Sequence, residues 1–95
     1  MNQINVTFRH VDPSQALKDY VVEKLGRLQK VIEKTIEANV TLSVEKYRHI
    51  AEVFLTGPGI TIKAFESTED LYSAIDLVCD KVERQLKKYR EKQKD

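Results

Sequence analysis

"HIAEVFLTGPGITIKAFE", residues 49–66, alternates apolar and polar side chains on both sides of a Gly57-Pro58-Gly59 break. Ala51, Val53 and Leu55 share one face of the first run; Ile60, Ile62 and Ala64 share one face of the second. A period of two on either side of a Gly/Pro turn is the pattern of a β-hairpin with one buried face. Upstream, "ANVTLSVEKY" (38–47) alternates in the same way with Val40, Leu42 and Val44 inward, and "RHI" (48–50) is expected to hold the reversal between the two. Three such runs in succession predict an antiparallel meander.

The flanks of the meander change period. "INVTF" (4–8) is a further strand with Ile4, Val6 and Phe8 on one face. "VDPSQ" follows as a helix start, with Asp12 as N-cap and Pro13 in the first turn. Leu17, Val21, Leu25, Leu28, Ile32 and Ile36 then recur at helical spacing as one apolar stripe. "STEDLYSAID" opens a second helix, with Ser67 or Thr68 as cap and a stripe of Leu71, Ile75, Val78, Val82, Leu86 and Tyr89.

The order β-α-β-β-β-α predicts an α+β two-layer sandwich. The strand–helix–strand start implies a parallel crossover. One apolar face per element places both helices on one face of a four-stranded mixed sheet. The other face, with Thr41, Ser43, Glu45, Glu52, Thr61 and Lys63, is expected to be wet. Phe54 and Phe65 share it, either as a cross-strand pair or as a contact surface. At 95 residues, the chain (1–95) is expected to form a single domain around one core.

Several function classes find little support. Cys79 is the lone cysteine, and the N-terminus has no basic leader followed by an apolar run. Apolar stretches are far shorter than the ~20 residues needed to span a bilayer. A soluble cytoplasmic protein with no membrane partner is expected. His10 and His49 are far apart and in no metal-ligand spacing, so no metal is expected. Asp76, Asp80 and Glu83 lie away from the core stripe as a solvated face. Gly57-Pro58-Gly59 lacks the lysine and following helix of a phosphate loop. Neither an enzyme, a cofactor nor a small-molecule substrate is expected.

Charge is the informative feature. The chain has 16 basic and 15 acidic residues, net +1, but they are unevenly placed. Glu66 to Asp80 holds five acids and no base; Lys81 to Lys94 holds seven bases and two acids. With about 100° per residue, Lys81, Arg84, Lys88 and Lys92 fall on one stripe flanking the core side of the second helix. Lys24, Arg27, Lys30 and Lys34 gather on one flank of the first. Side by side, the two stripes could merge into one basic surface.

Cations at a helix C-terminus also complement the macrodipole, which is an alternative reason for them to be there. That effect fades beyond the last turn, however, and Lys81 lies well upstream. A polyanion read through its phosphates is the favoured partner.

The residues also carry a resemblance. Glu69-Asp70-Leu71-Tyr72, Ala74-Ile75-Asp76, Lys81, Arg84-Gln85-Leu86 and Lys88, with "LSVEK" (42–46) and "VTFRH" (6–10), resemble the ribosome hibernation promoting factors and the related ribosome-associated inhibitor A. The match runs over nearly the whole chain. It implies a fold similar to double-stranded-RNA-binding domains. It also implies binding to the small ribosomal subunit and its rRNA in the mRNA/tRNA decoding channel, which blocks translation by occupancy. The resemblance implies RNA contacts at Lys24, Arg27, Lys30, Lys81, Arg84 and Lys88, with Lys87, Arg90 and Lys92 as further candidates. Ribosome modulation factor is a further partner candidate, since some short relatives act with it. The chain is expected to be either a short form or the N-terminal domain of a long form. Two other readings remain: a general duplex-RNA-binding module not tied to the ribosome, and a small-molecule regulatory or protein-interaction domain using the open sheet face with Phe54 and Phe65.

Overall fold

The computed structural model describes residues 3–28 and 35–92, without the side chains of residues 90–92. Its elements are β1 (Gln3–Arg9), α1 (Gln15–Leu28), β2 (Glu37–Glu45), β3 (Arg48–Gly57), β4 (Ile60–Thr68) and α2 (Leu71–Lys92). The strands form one sheet in the order β1-β2-β3-β4. β1 and β2 run parallel and the remaining pairs antiparallel, as the expected crossover and meander require. α2 packs over β3 and β4, and α1 lies beside it.

The inward positions of the strands and the stripes of both helices meet in one core. Leu42, Leu55, Ile62, Val82 and Leu86 are fully shut off from solvent there, and Val21, Val40, Ile75 and Val78 nearly so. Burial of such side chains stabilises by about 1.5–3 kcal/mol each relative to exposure. One stripe member departs from expectation and another is not described. Ile32 lies outside the described residues. Ile36 is buried, but it stands in the segment before β2 rather than on the helix. It fits there because Gly57 has no side chain: a Cβ on Gly57 would come within 3.1 Å of Ile36 Cγ2 and 3.2 Å of the Thr35 carbonyl oxygen.

Turn and cap positions are also corrected. The β2–β3 reversal is Lys46-Tyr47, with Lys46 at φ 55°, and Arg48–Ile50 is already strand. His49 is therefore half-buried in β3, with its Nδ1 shielded and unpartnered, rather than a surface residue of a loop. Pro58-Gly59 forms the β3–β4 turn, where Gly59 at φ 73° takes the position that L side chains resist. The N-cap of α1 is Ser14, not Asp12, because Ser14 Oγ accepts from the Leu17 N–H at 3.2 Å. The N-cap of α2 is Asp70, not Ser67 or Thr68. Its Oδ1 accepts from the Ser73 N–H and its Oδ2 from the Ser73 hydroxyl, both at 2.8 Å.

These bonds to Ser73, backbone first, hold the Asp70 carboxyl below its ordinary value. A depressed carboxylate contributes stability above its unfolded value and loses it as pH falls through the folded one. The Tm difference between the protein and its Asp70→Ala variant should therefore be full at neutral pH and narrow below about pH 4. Thermal melts followed by circular dichroism check this, and a gap independent of pH would contradict it.

On the open sheet face Ser43 is buried, 5% exposed, where a wet position was expected. In register it stands between Arg9 and Ile50, two larger residues that flank a small one. Phe54 and Phe65 do not face each other. The register puts Phe54 opposite Lys63 and Phe65 opposite Glu52.

Candidate nucleic-acid interface

Two side chains fix how α2 is rotated about its axis. The Tyr89 hydroxyl donates to the Thr61 carbonyl at 2.9 Å and accepts from the Thr61 N–H at 3.4 Å. Lys81 Nζ donates to the Phe65 carbonyl at 3.2 Å and pairs with Glu66 Oε2 at 2.7 Å. Both partners lie on the outer edge of β4, so α2 is tied to that edge at two points. Arg84 and Lys88 project between the ties. Both are exposed, and among the described residues neither has an ion pair. Asp80, four residues before Arg84, does not pair with it. The spacing of four keeps the two cations stacked on one side of a helix.

The opposite flank of α2 faces α1, and it is acidic. Lys24 Nζ lies 3.3 Å from Asp76 Oδ1, and the Tyr20 hydroxyl makes a short hydrogen bond to the same oxygen. Tyr20 stacks edge-on against Tyr72 at 5.0 Å and carries the Lys24 ammonium 5.4 Å from its ring centre. The hydrogen bonds that Tyr20 and Lys24 donate to Asp76 raise the pKa of each, with the Asp76 charge adding to both. Arg27 pairs with Glu23 at 3.1 Å. The cleft between the helices is lined by Lys24 and Arg27 from one side and Asp76, Asp80 and Glu83 from the other. Asp76 is thus an interhelical partner rather than a solvated acid.

Among the described residues the two basic stripes therefore do not merge. α2 turns its acids towards α1 and its unpaired cations towards the β4 edge. Lys87 pairs with Glu83 at 3.1 Å. Lys30 and Lys34 lie outside the described residues, as do the side chains of Arg90 and Lys92. The structure adds Lys63, which stands on β4 beside Arg84 and Lys88 in one groove with Phe54 and Phe65. The alternation of β4 already placed Lys63 on the open face; its nearness to the helix cations depends on how α2 overhangs the edge.

Cys79 lies at the inner side of the interhelical cleft, 7% exposed. Burial pushes its thiol up to about 12, so it is not a ready nucleophile. Its reaction with a thiol reagent at neutral pH should be slow in the folded protein and fast in denaturant. Equal rates, read by absorbance, would contradict this. Among the described residues no helix is long and apolar enough to cross a membrane, and no group of three or more His, Cys, Asp or Glu side chains is placed to hold a metal ion.

Fold and surface together describe a small two-layer domain that displays unpaired cations along a sheet edge. Residues 4–94 match the family described as "Sigma 54 modulation protein / S30EA ribosomal protein", and the chain belongs to that family. Curated relatives named ribosome hibernation promoting factor include those of Pseudomonas putida, 43% identical over 96% of this chain and 89% of the relative, and Escherichia coli, 35% identical over 97% of both. Among solved structures, the chain is similar to the N-terminal domain of Protein Y from Thermus thermophilus, with TM-score 0.88 and 34% identity over 94% of this chain and 99% of that one. It is also similar to a ribosomal subunit interface protein from Coxiella burnetii, with TM-score 0.85 and 33% identity over 96% and 99%. The four-stranded mixed sheet with two helices on one face is the fold of the family.

Proposed function

We propose that this chain is a single ribosome-binding domain. It silences translation by occupying the mRNA/tRNA decoding channel of the small ribosomal subunit, gripping rRNA phosphates without catalysing a reaction. The names of its relatives support a ribosomal target. The observation that carries the reading is the pair Arg84 and Lys88, left unpaired on a helix tied to the sheet at Thr61 and Phe65. Cations without carboxylate partners are available to phosphate oxygens at no cost of breaking an ion pair.

The nine basic positions divide accordingly. Arg84 and Lys88 form the centre of the contact, with Lys81 beside them, and Arg90 and Lys92 are assigned to it by sequence and family resemblance alone. Lys87 joins by leaving Glu83. Lys24 and Arg27 form a second contact on α1, partly offset by Asp76 and Glu23, and Lys30 is assigned to it by sequence and family resemblance alone.

Co-sedimentation of the purified protein with small subunits, large subunits and whole ribosomes, at low and moderate salt, tests the reading. Retention on small subunits that weakens with salt is expected. Contact with about six phosphates gives a log–log slope near −4 to −5. No retention on any particle would overturn the proposal. Binding to plain duplex RNA as tight as to small subunits would replace it with a general duplex-RNA-binding module.

A further inference from the structure

The groove at the β4 edge does more than hold phosphates. It runs from the open sheet face, where Phe54 and Phe65 are 39% and 56% exposed, round the edge strand to Arg84 and Lys88 of α2. Lys63 holds its ammonium 5.6 Å from the Phe54 ring centre. That contact covers Phe54 and leaves Phe65 as the more open ring, with a cation close by. Three cations (Lys63, Arg84 and Lys88) face one carboxylate, Glu52, along the groove, since the fourth cation, Lys81, is paired with Glu66. A ligand that fits is flat, aromatic and anionic. Asn39, which also lines the groove, accepts from the Asn5 amide through its Oδ1.

From this juxtaposition we infer that the groove binds a single-stranded RNA segment, with a base stacked on Phe65 and the adjoining phosphates on Arg84, Lys88 and Lys63. This rests on the RNA-binding reading above and adds a base platform to it. Exposed aromatic rings on an open four-stranded sheet are a general means of holding unstacked bases, and they tolerate any base because every base has a π-face. A peptide adding as a fifth strand is the competing occupant, and the edge itself argues against it. Of the outward-facing backbone groups on β4, those of Thr61 are taken by Tyr89 and the Phe65 carbonyl by Lys81, which interrupts the row at two points. A strand needs a continuous row of free groups; a stacked base needs none.

The test compares a short fluorescein-labelled oligouridylate with an abasic strand of equal length by anisotropy, at fixed salt. The protein should prefer the oligouridylate by roughly 5- to 150-fold. Phe65→Ala should lose that preference while binding the abasic strand as before, and Phe65→Trp should keep it. Circular dichroism confirms that the variants fold. Equal affinity of the protein for the two strands, or a Phe65→Ala variant that keeps the preference, would overturn the inference. Co-sedimentation with small subunits separates the two levels. If subunits are retained but the preference is absent, only the base platform fails; if neither RNA nor subunits bind, the functional reading fails with it. A Phe54→Ala/Phe65→Ala variant that loses subunits while its oligouridylate affinity is unchanged would overturn the inference in favour of a protein contact.

Discussion

An Arg84→Glu/Lys88→Glu variant is expected to lose small-subunit binding by about 100-fold or more at moderate salt while keeping the melting profile of the parent. Each substitution removes a charge-assisted contact with a phosphate and adds a repulsion in its place. Both positions are exposed and, among the described residues, unpaired, so neither change breaks an ion pair there. The log–log salt slope should become shallower by roughly 1.5 to 2, the contribution of two phosphates. Lys81 is a poorer choice for the same experiment. A glutamate there would lie against Glu66 and strip the Phe65 carbonyl of its donor, so lost binding would be mixed with a disturbed sheet edge. Reversal at Lys24 or Arg27 should cost less than reversal at Arg84 or Lys88, because each already faces an acid. Equal losses at all four sites would mean that the partner reads overall charge rather than the β4 edge.

The largest effect on stability is expected at Leu86. Its side chain is fully buried, and it lies between Arg84 and Lys88 on the inner side of α2. Leu86→Ala removes methyl groups from a packed core and leaves a cavity, at a cost of about 2–5 kcal/mol. For a domain with ~5–15 kcal/mol in total, that is a large share. A fall in Tm of roughly 10–30 °C follows from the entropy of unfolding for a chain of this size. Leu86→Met keeps most of the volume and should cost less than ~1.5 kcal/mol. Denaturant titrations of both variants check the pair, and a mild Leu86→Ala would mean that α2 can collapse onto the sheet.

The strands and helices were legible because each has one buried face. Val40, Leu42, Val53, Leu55 and Ile62 alternate and are buried; Leu17, Val21 and Leu25 recur at helical spacing and are buried. Features that depend on a second element were not. Ile36 continues the spacing of α1 in the sequence, yet it packs beside Gly57, a residue far along the chain. Asp12, Ser14, Thr68 and Asp70 are all acceptable caps, and only the direction of the chain entering each helix selects Ser14 and Asp70. A helical wheel shows that α2 has an acidic flank and a basic flank, but not which of them meets α1. Tyr89 and Lys81 decide that by bonding to β4, contacts with no local signal. Lys63 opposite Phe54 needed the strand register, which the β3–β4 turn sets.

The division of charge across α2 gives the molecule a transverse dipole despite a net charge of only +1. The poles are about a helix diameter apart, ~10 Å, which is comparable with the screening length of ~8 Å at physiological ionic strength. Such a pair of poles is felt only at close range. Distant polyanions exert little pull on so nearly neutral a body, whereas one within a screening length turns it, acids away and Arg84 and Lys88 inward. The expected result is an association rate that falls with added salt more steeply than a charge of +1 alone would produce, a difference that stopped-flow mixing with small subunits would resolve.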